Sequence, residues 1–248
     1  MGQPQAAYRA TLGRSFRLLG AFRREQADPE SFYGLMARDT VAQLAAYTGL
    51  DGATVIDVGA GSGFFTRELT RAGARCAGVD VDAGEITAYG PPRGDCVVGS
   101  ALRLPFGTGT ADVCFSSNVL EHVPDPWQMA DEMVRVTRPG GVVYLSFTNW
   151  LSPWGGHETS PWHYLGGHRA ARRYERRHGR PPKNRYGTSL HPVSIGDTLA
   201  WARRRADVRV LDALPRYHPS WAKGVVRIPG LREVVTWNLV LVLRKTAP

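Results

Sequence analysis

Lysine is nearly missing from this chain of 248 residues. Only Lys183, Lys223 and Lys245 are present, so arginine supplies almost all the positive charge behind a net charge of +9. Such a bias can follow from a GC-rich coding sequence, so the total charge says less about an anionic partner than its distribution does. Cysteine is scarce too. Cys76, Cys96 and Cys114 form no CxxC pair and lie in or beside apolar runs, which excludes a disulfide scaffold and points to reduced, buried thiols. Long apolar runs are absent. Leu239 to Leu243 falls far short of the roughly 18 residues of a spanning helix, and no N-terminal apolar segment precedes a small-residue cleavage site. The expectation is an unexported, cytoplasmic protein. Repeats and low-complexity tracts are also missing, and 43% hydrophobic against 21% charged residues excludes wholesale disorder while leaving enough apolar side chains for a sizeable core.

What is present is an alternation of apolar runs and helix-like segments between residues 53 and 147, the pattern of βαβ units on a parallel sheet. Strands are predicted over Thr54–Val58, Arg75–Asp80, Asp95–Val98, Asp112–Ser116 and Val142–Phe147. Helices are predicted over Phe65–Ala72, Ala83–Tyr89 and Trp127–Thr137, the last ending before the turn Arg138-Pro139-Gly140-Gly141. Two further β-rich runs, Val208–Leu211 and Val234–Leu243, bring the strands to seven. Upstream, the Asp28 cap and Pro29 start a helix predicted to reach Thr48.

The most informative segment is Thr54-Val-Ile-Asp57-Val-Gly59-Ala-Gly61-Ser-Gly63-Phe-Phe65, a buried strand running straight into a glycine turn and a helix. Glycines there let the backbone approach a ligand at the carboxyl end of the strand. A dinucleotide fingerprint would need G-x-G-x-x-G. Phe64 stands where its third glycine belongs, which weakens a nicotinamide reading.

With Asp57, Gly59, Gly61 and Gly63 in the form D-x-G-x-G-x-G, the segment resembles the first strand and turn of class I S-adenosylmethionine-dependent methyltransferases. Three further signals follow in order. Gly78-Val79-Asp80-Val81 puts a carboxylate 21 positions after Gly59, where the family holds both ribose hydroxyls; a carboxylate is a suitable double acceptor for a diol. Gly99-Ser100-Ala101-Leu102-Arg103-Leu104-Pro105-Phe106 is similar to the adenine-binding turn, although Ser100 replaces the family's usual Asp. Ser116-Ser117-Asn118-Val119-Leu120-Glu121-His122-Val123 resembles the fourth-strand end that lines the methionine moiety, and Arg135 to Gly141 the turn into strand five.

The resemblance implies an α/β, Rossmann-like class I methyltransferase fold: a seven-stranded, mostly parallel sheet with an antiparallel last strand and helices on both faces. It implies an N-terminal helical extension over residues 1–50 and a methyltransferase domain over 51–248, with an acceptor-side insertion at about 149–192. It also implies S-adenosyl-L-methionine as cofactor, S-adenosyl-L-homocysteine as product, and Asp57, Gly59, Gly61, Gly63, Asp80, Val81, Ser100, Ala101, Leu102 and Asn118 as cofactor-binding residues. No metal ion is expected.

Because the sulfonium cofactor carries an activated methyl group and a good leaving group, the protein's main contribution is in-line alignment. An oxygen acceptor must also lose a proton, for which histidine is the natural base at neutral pH; an amine need only arrive deprotonated. His157, His163 and His191 are the candidate bases, with His168 in the same segment and His122 facing the site from the fourth-strand end. For each, a structural or solvent-exposed role is the alternative.

Three segments bear on the acceptor. Asn149 to His168 is dense in aromatics, glycines and histidines, which suits a lid or acceptor wall, or a loop covering the sheet edge. This segment and Arg216-Tyr217-His218-Pro219 are similar to a type 11-like group of actinobacterial class I methyltransferases, a likeness that carries no acceptor assignment. From His168 to Arg185, seven arginines and Lys183 oppose Glu175 alone. That run suits a clamp for a phosphorylated or carboxylated acceptor, a nucleic-acid surface, or a solvated helix face; Tyr174 and Tyr186 are too few for base stacking. Finally, Leu12, Phe16, Leu19 and Phe22 recur at helical spacing, with Arg9, Arg14, Arg17, Arg23 and Arg24 elsewhere on the wheel. Residues 8–26 could therefore touch the inner membrane surface, roof the site or pack on a neighbouring subunit. The expected reaction is methyl transfer to oxygen of a small-molecule, lipid or glycan acceptor, anionic if the basic run serves it. An RNA methyltransferase, or a methyltransferase-like binding protein without catalysis, is the alternative.

Overall fold

A computed structural model of the protein describes residues 8–23, 28–92 and 94–246. Arg24 and the end of the 8–26 helix candidate lie outside the described residues, as do residues 1–7 and 247–248 of the two expected units.

The seven expected strands are β1 (Thr54–Val58), β2 (Arg75–Asp80), β3 (Asp95–Val98), β4 (Ala111–Ser117), β5 (Thr137–Thr148), β6 (Val208–Pro215) and β7 (Asn238–Lys245). They form one sheet in the order β3-β2-β1-β4-β5-β7-β6. All the pairings from β3 across to β5 are parallel, and β7 runs antiparallel to both of its neighbours. The order reverses between β1 and β4, the place where an open α/β sheet leaves a crevice outside its carboxyl ends.

Eight α-helices accompany the sheet among the described residues: α1 (Leu12–Phe22), α2 (Pro29–Leu44), α3 (Phe64–Arg71), α4 (Ala83–Thr87), α5 (Pro126–Val136), α6 (Gly167–His178), α7 (Ile195–Arg204) and α8 (Leu231–Val235). Asp28 caps α2 by accepting from the Ser31 N–H at 3.1 Å, with Pro29 in its first turn. One face of the sheet packs Val55, Val113, Phe115, Tyr144 and Val240 against Val41 and Leu44 of α2 and Leu69 of α3. The opposite face packs Ile56, Val58, Cys114, Leu145 and Leu241 against Met129 and Met133 of α5 and Leu199 and Trp201 of α7. Strands covered on both faces need no polar alternation, which is why their sequences read as continuous apolar runs. α2 thus belongs to the same core as the strands.

Three expectations are corrected. The run Val234–Leu243 is not one strand: Val234 and Val235 end α8, and Trp237, at φ 61, turns the chain before β7 begins at Asn238. The Arg138–Gly141 turn is drawn into β5, which shifts register against β4 between Ala111 and Val113, with Gly140 at φ 78. The amphipathic helix is α1, but its inward face is not the one its apolar spacing suggests. Arg14 and Leu18 are buried, whereas Leu12 and Phe16 are 53% and 65% exposed. Arg14 is turned inward because it finds partners there: an ion pair with Asp39 and a 2.7 Å bond from Nη1 to the Arg216 carbonyl. No helix among the described residues is long and apolar enough to cross a membrane.

Candidate active site

At the end of β1 the chain turns on Gly59, Gly61 and Gly63, all in the left-handed region at φ 74, 49 and 72. A side chain at Gly59 would place its Cβ 2.2 Å from Val119 Cγ2, so the turn lies directly against the segment that leaves β4. The Gly59 and Ala60 N–H groups donate to the Val79 carbonyl at 2.7 and 3.1 Å. Gly61 donates to Asp80 Oδ2 at 2.8 Å and Asp82 to Asp80 Oδ1 at 3.0 Å. Asp80 therefore ties the turn to the end of β2, and each of its oxygens keeps an acceptor lone pair.

Asp57 has a different position. It is fully buried beneath the turn and accepts from Thr66 Oγ1 at 2.7 Å, bracing β1 against α3. Burial, opposed by the Thr66 bonds, pushes its carboxyl up to about 7.

The residues expected to form an adenine-binding turn follow beside Asp80, because the Gly99 N–H donates to the Asp80 carbonyl at 2.8 Å. Val81 is 72% exposed. Ser100 is exposed, with Oγ accepting from the Leu102 N–H at 3.2 Å, and Ala101 and Leu102 pack on the core beneath. Asn118 adopts φ 59, donates its N–H to the Ser146 carbonyl at 2.8 Å, and accepts from Asn238 Nδ2 at 2.7 Å. All ten sequence-predicted cofactor residues thus lie along the carboxyl ends of β1 to β4 or directly below them. A glycine turn open at Gly61, where a Cβ would meet nothing within 4 Å, an acceptor pair at Asp80 and an exposed apolar Val81 fit a nucleoside joined to an amino-acid moiety.

Beyond Asn118, the one-turn 3-10 helix Leu120–His122 carries Glu121, to which the sequence assigns no role of its own. Its carboxylate is 1% exposed; Oε1 accepts the Thr148 N–H at 2.9 Å and Oε2 has no partner. His122 Nδ1 meets the Ser189 carbonyl at 2.7 Å, and the His157 ring lies edge-on to the His122 ring at 5.0 Å. His157 itself is in the left-handed region at φ 49, and burial lowers its pKa. No local sequence signal could connect Glu121 with His157, because a strand and an aromatic loop separate them in the chain.

The other candidate histidines are placed differently. His163 is buried, with Nε2 at 3.1 Å from the Ser152 carbonyl, Nδ1 at 3.4 Å from Ser160 Oγ, and its ring against Trp150 and Tyr164. His191 is half-buried; its backbone N–H donates to the Glu121 carbonyl at 2.7 Å and its Nε2 lies 3.3 Å from the Thr188 carbonyl. His168 sits exposed on α6 against the edge of Tyr186. The structure brings His122 and His157 together with Glu121 and leaves the other three outside that cluster.

The insertion is a folded unit joined to both flanks. Gly155 and Gly156 are required by packing, since a Cβ would come within 2.0 Å of the Trp150 carbonyl oxygen or 2.5 Å of His163 Cβ. Trp154 packs edge-on to Phe22 of α1 and to Trp237. On the other flank Lys183 Nζ pairs with Glu85 of α4 at 2.9 Å, so the insertion reaches from the end of β5 to the helix after Asp80. Within it, α6 leaves Arg169, Arg172, Arg176 and Arg177 exposed, while Arg173 stacks over Trp162 at 3.8 Å.

Arg216, quoted in the sequence only for a likeness, is 1% exposed. Its Nη1 donates to Ser117 Oγ at 2.8 Å and Ser146 Oγ at 3.0 Å, and Nη2 to Thr40 Oγ1 at 2.6 Å. This guanidinium ties α2 to the carboxyl ends of β4 and β5.

Comparisons with known proteins bear on the family and the fold. Residues 56–145 match the family model described as a methyltransferase domain. The chain is 53% identical over 250 residues to a methyltransferase of Mycolicibacterium gilvum, covering 97% of each, and 51% identical over 251 residues to one of Mycobacteroides abscessus, covering 96% of each. Its fold is similar to that of an S-adenosylmethionine-dependent methyltransferase from Mesorhizobium loti, with TM-score 0.59, 21% identity and coverage of 84% of this chain and 98% of that one. A similar likeness holds for an S-adenosylmethionine-dependent methyltransferase from Aquifex aeolicus, with TM-score 0.54, 14% identity and coverage of 91% and 98%. The chain belongs to the methyltransferase family, and its fold is that of S-adenosylmethionine-dependent methyltransferases.

Proposed function

We propose that this enzyme transfers a methyl group to an oxygen of a small-molecule, lipid or glycan acceptor that carries an anionic group. The observation that carries the reading is the sharing of one sheet edge. The glycine turn and Asp80 at the ends of β1 and β2 adjoin, through the Gly59–Val119 contact, the segment that bears Glu121 and His122. S-adenosylmethionine supplies the activated methyl group when bound. Asp80 accepts the ribose hydroxyls, the glycine turn admits the amino-acid moiety, and Ala101 and Leu102 support the adenine.

The protein's own contribution is alignment of the acceptor oxygen and removal of its proton at the Glu121–His122–His157 cluster. As the oxygen–carbon bond forms, the sulfur–carbon bond breaks and the thioether leaves with the electron pair. The exposed arginines of α6 supply an anion-recognising surface next to the insertion, because a guanidinium binds phosphate or carboxylate with two parallel donors.

Calorimetric titration with S-adenosylmethionine and S-adenosylhomocysteine, followed by a labelled-methyl screen over phosphorylated glycans and anionic lipids, tests the reading. Micromolar binding of both and label on an alkali-stable ether or an ester supports it. Label on RNA with a steep salt dependence, or binding without any transfer, would replace it. Replacing Arg172, Arg173, Arg176 and Arg177 together should spare cofactor affinity and raise the acceptor KM; lost cofactor binding in a folded variant would contradict that division.

A further inference from the structure

We infer that Glu121, His122 and His157 form a binding site for a divalent transition-metal ion of the zinc type. One donor atom of each lies within 4.8 Å of one from each of the others. Yet the carboxylate makes no hydrogen bond or ion pair with either ring, and its Oε2 is buried with no partner at all. A buried carboxylate oxygen left this way is costly unless a cation or a donor reaches it.

The surrounding contacts have the form of a supporting shell around ligands. The His122 Nδ1 faces the Ser189 carbonyl at 2.7 Å, and a carbonyl can only accept, so Nδ1 carries the proton and Nε2 presents its lone pair. His157 Nδ1 faces the Gly155 carbonyl at 3.4 Å with the same consequence. Glu121 is held through Oε1 by the Thr148 N–H and through its own carbonyl by the His191 N–H. Metal-ligating histidines characteristically donate their other ring N–H to a carbonyl or carboxylate, which orients the ring.

Two imidazoles and one carboxylate suit zinc and its neighbours, and three protein ligands leave an open coordination position. With metal–ligand distances near 2.0–2.2 Å, ligation would draw the three donors inward by about 1 Å. The left-handed backbone at His157, held by the tightly packed Gly155 and Gly156, is the kind of local strain that persists where a side chain must be aimed. That the ion would act on the acceptor hydroxyl rests on the proposed function; the binding itself does not.

The test uses the full-length protein freed of metal by a chelator. Zn2+ is titrated against a chromogenic chelator, and Co2+ is followed by its visible absorption. One equivalent of Zn2+ and a saturable Co2+ band are expected. Glu121→Gln and His157→Ala should each lose at least the 10- to 100-fold in affinity typical of disturbing such a site, while His178→Ala, on exposed α6, should lose none. Wild-type protein that binds S-adenosylhomocysteine but takes up no stoichiometric metal overturns the inference, as does uptake unchanged in the His122→Ala/His157→Ala double variant. Because the wild-type measurement decides by itself, a variant that fails to fold does not protect the idea. No metal uptake by protein that still transfers methyl groups would remove the site and leave the O-methylation reading standing; metal uptake without any methyl transfer would do the reverse.

Discussion

The two halves of the sheet's carboxyl edge are built from different materials. At β1 and β2 the edge is made by backbone: three left-handed glycines, N–H groups donated to Val79 and Asp80, and a helix that starts at once. At β4, β5 and β7 it is made by buried polar side chains reaching across the fold, with Arg216 on Ser117, Ser146 and Thr40, Asn238 on Asn118, and Glu121 on Thr148. The first construction is local, so its requirements are written in consecutive residues. The second joins groups tens to hundreds of positions apart, so only the folded chain shows which residues take part.

Substitutions should separate the two halves. The largest effect is expected on the side-chain half from Arg14→Ala, which leaves Asp39 without its cation and the Arg216 carbonyl without a donor. Breaking such a buried pair typically costs about 3–5 kcal/mol, readable by chemical denaturation; a loss below 1 kcal/mol would show that α1 is not integral to that half. On the backbone half, Gly59→Ala should cost at least about 2 kcal/mol, from the left-handed conformation and the clash with Val119. Adding Val119→Ala should recover the clash portion only, and full recovery would dismiss the conformational part.

Asp80→Ala should weaken S-adenosylhomocysteine binding by about 1.5–3 kcal/mol, the usual loss for charge-assisted hydrogen bonds. Unchanged calorimetric affinity would sink the ribose assignment. Asp57 offers a pH test. Its native pKa, pushed up to about 7, lies above the ordinary carboxylate value, so between roughly pH 4 and 7 the folded protein holds a proton that the unfolded chain has released. That contribution to stability is complete at low pH and is lost as pH rises through 7. The stability of wild type relative to Asp57→Asn should therefore decline from pH 4.5 to 7.5, and a flat difference would refute the shift. The smallest effect belongs to Lys183→Met: the Lys183–Glu85 pair is exposed, so no more than about 1 kcal/mol of stability should be lost.

Legibility in the sequence followed the same division. The strands, the glycine turn and Asp80 could be read because strand, turn and helix are consecutive and each residue's task is set by its neighbours. The polar side of α1 is not legible from spacing, because Arg14 is buried. Helical spacing alone puts Arg14 with the other arginines, and nothing nearby in the chain announces Asp39 or the Arg216 carbonyl as its partners. His157 was visible as a candidate among several histidines. What singles it out is Glu121, together with the carbonyls of Gly155 and Ser189 that orient the two rings.

By itself, then, the sequence determined the parallel sheet, its crevice and the glycine turn at the end of β1, because those depend on short-range backbone geometry and on apolar runs buried from both sides. Only the tertiary structure decided which charged groups lie inside, which histidines meet a carboxylate, and how the insertion spans from β5 to α4. Those outcomes turn on whether a buried polar group finds a partner, and the partner is supplied by distant chain.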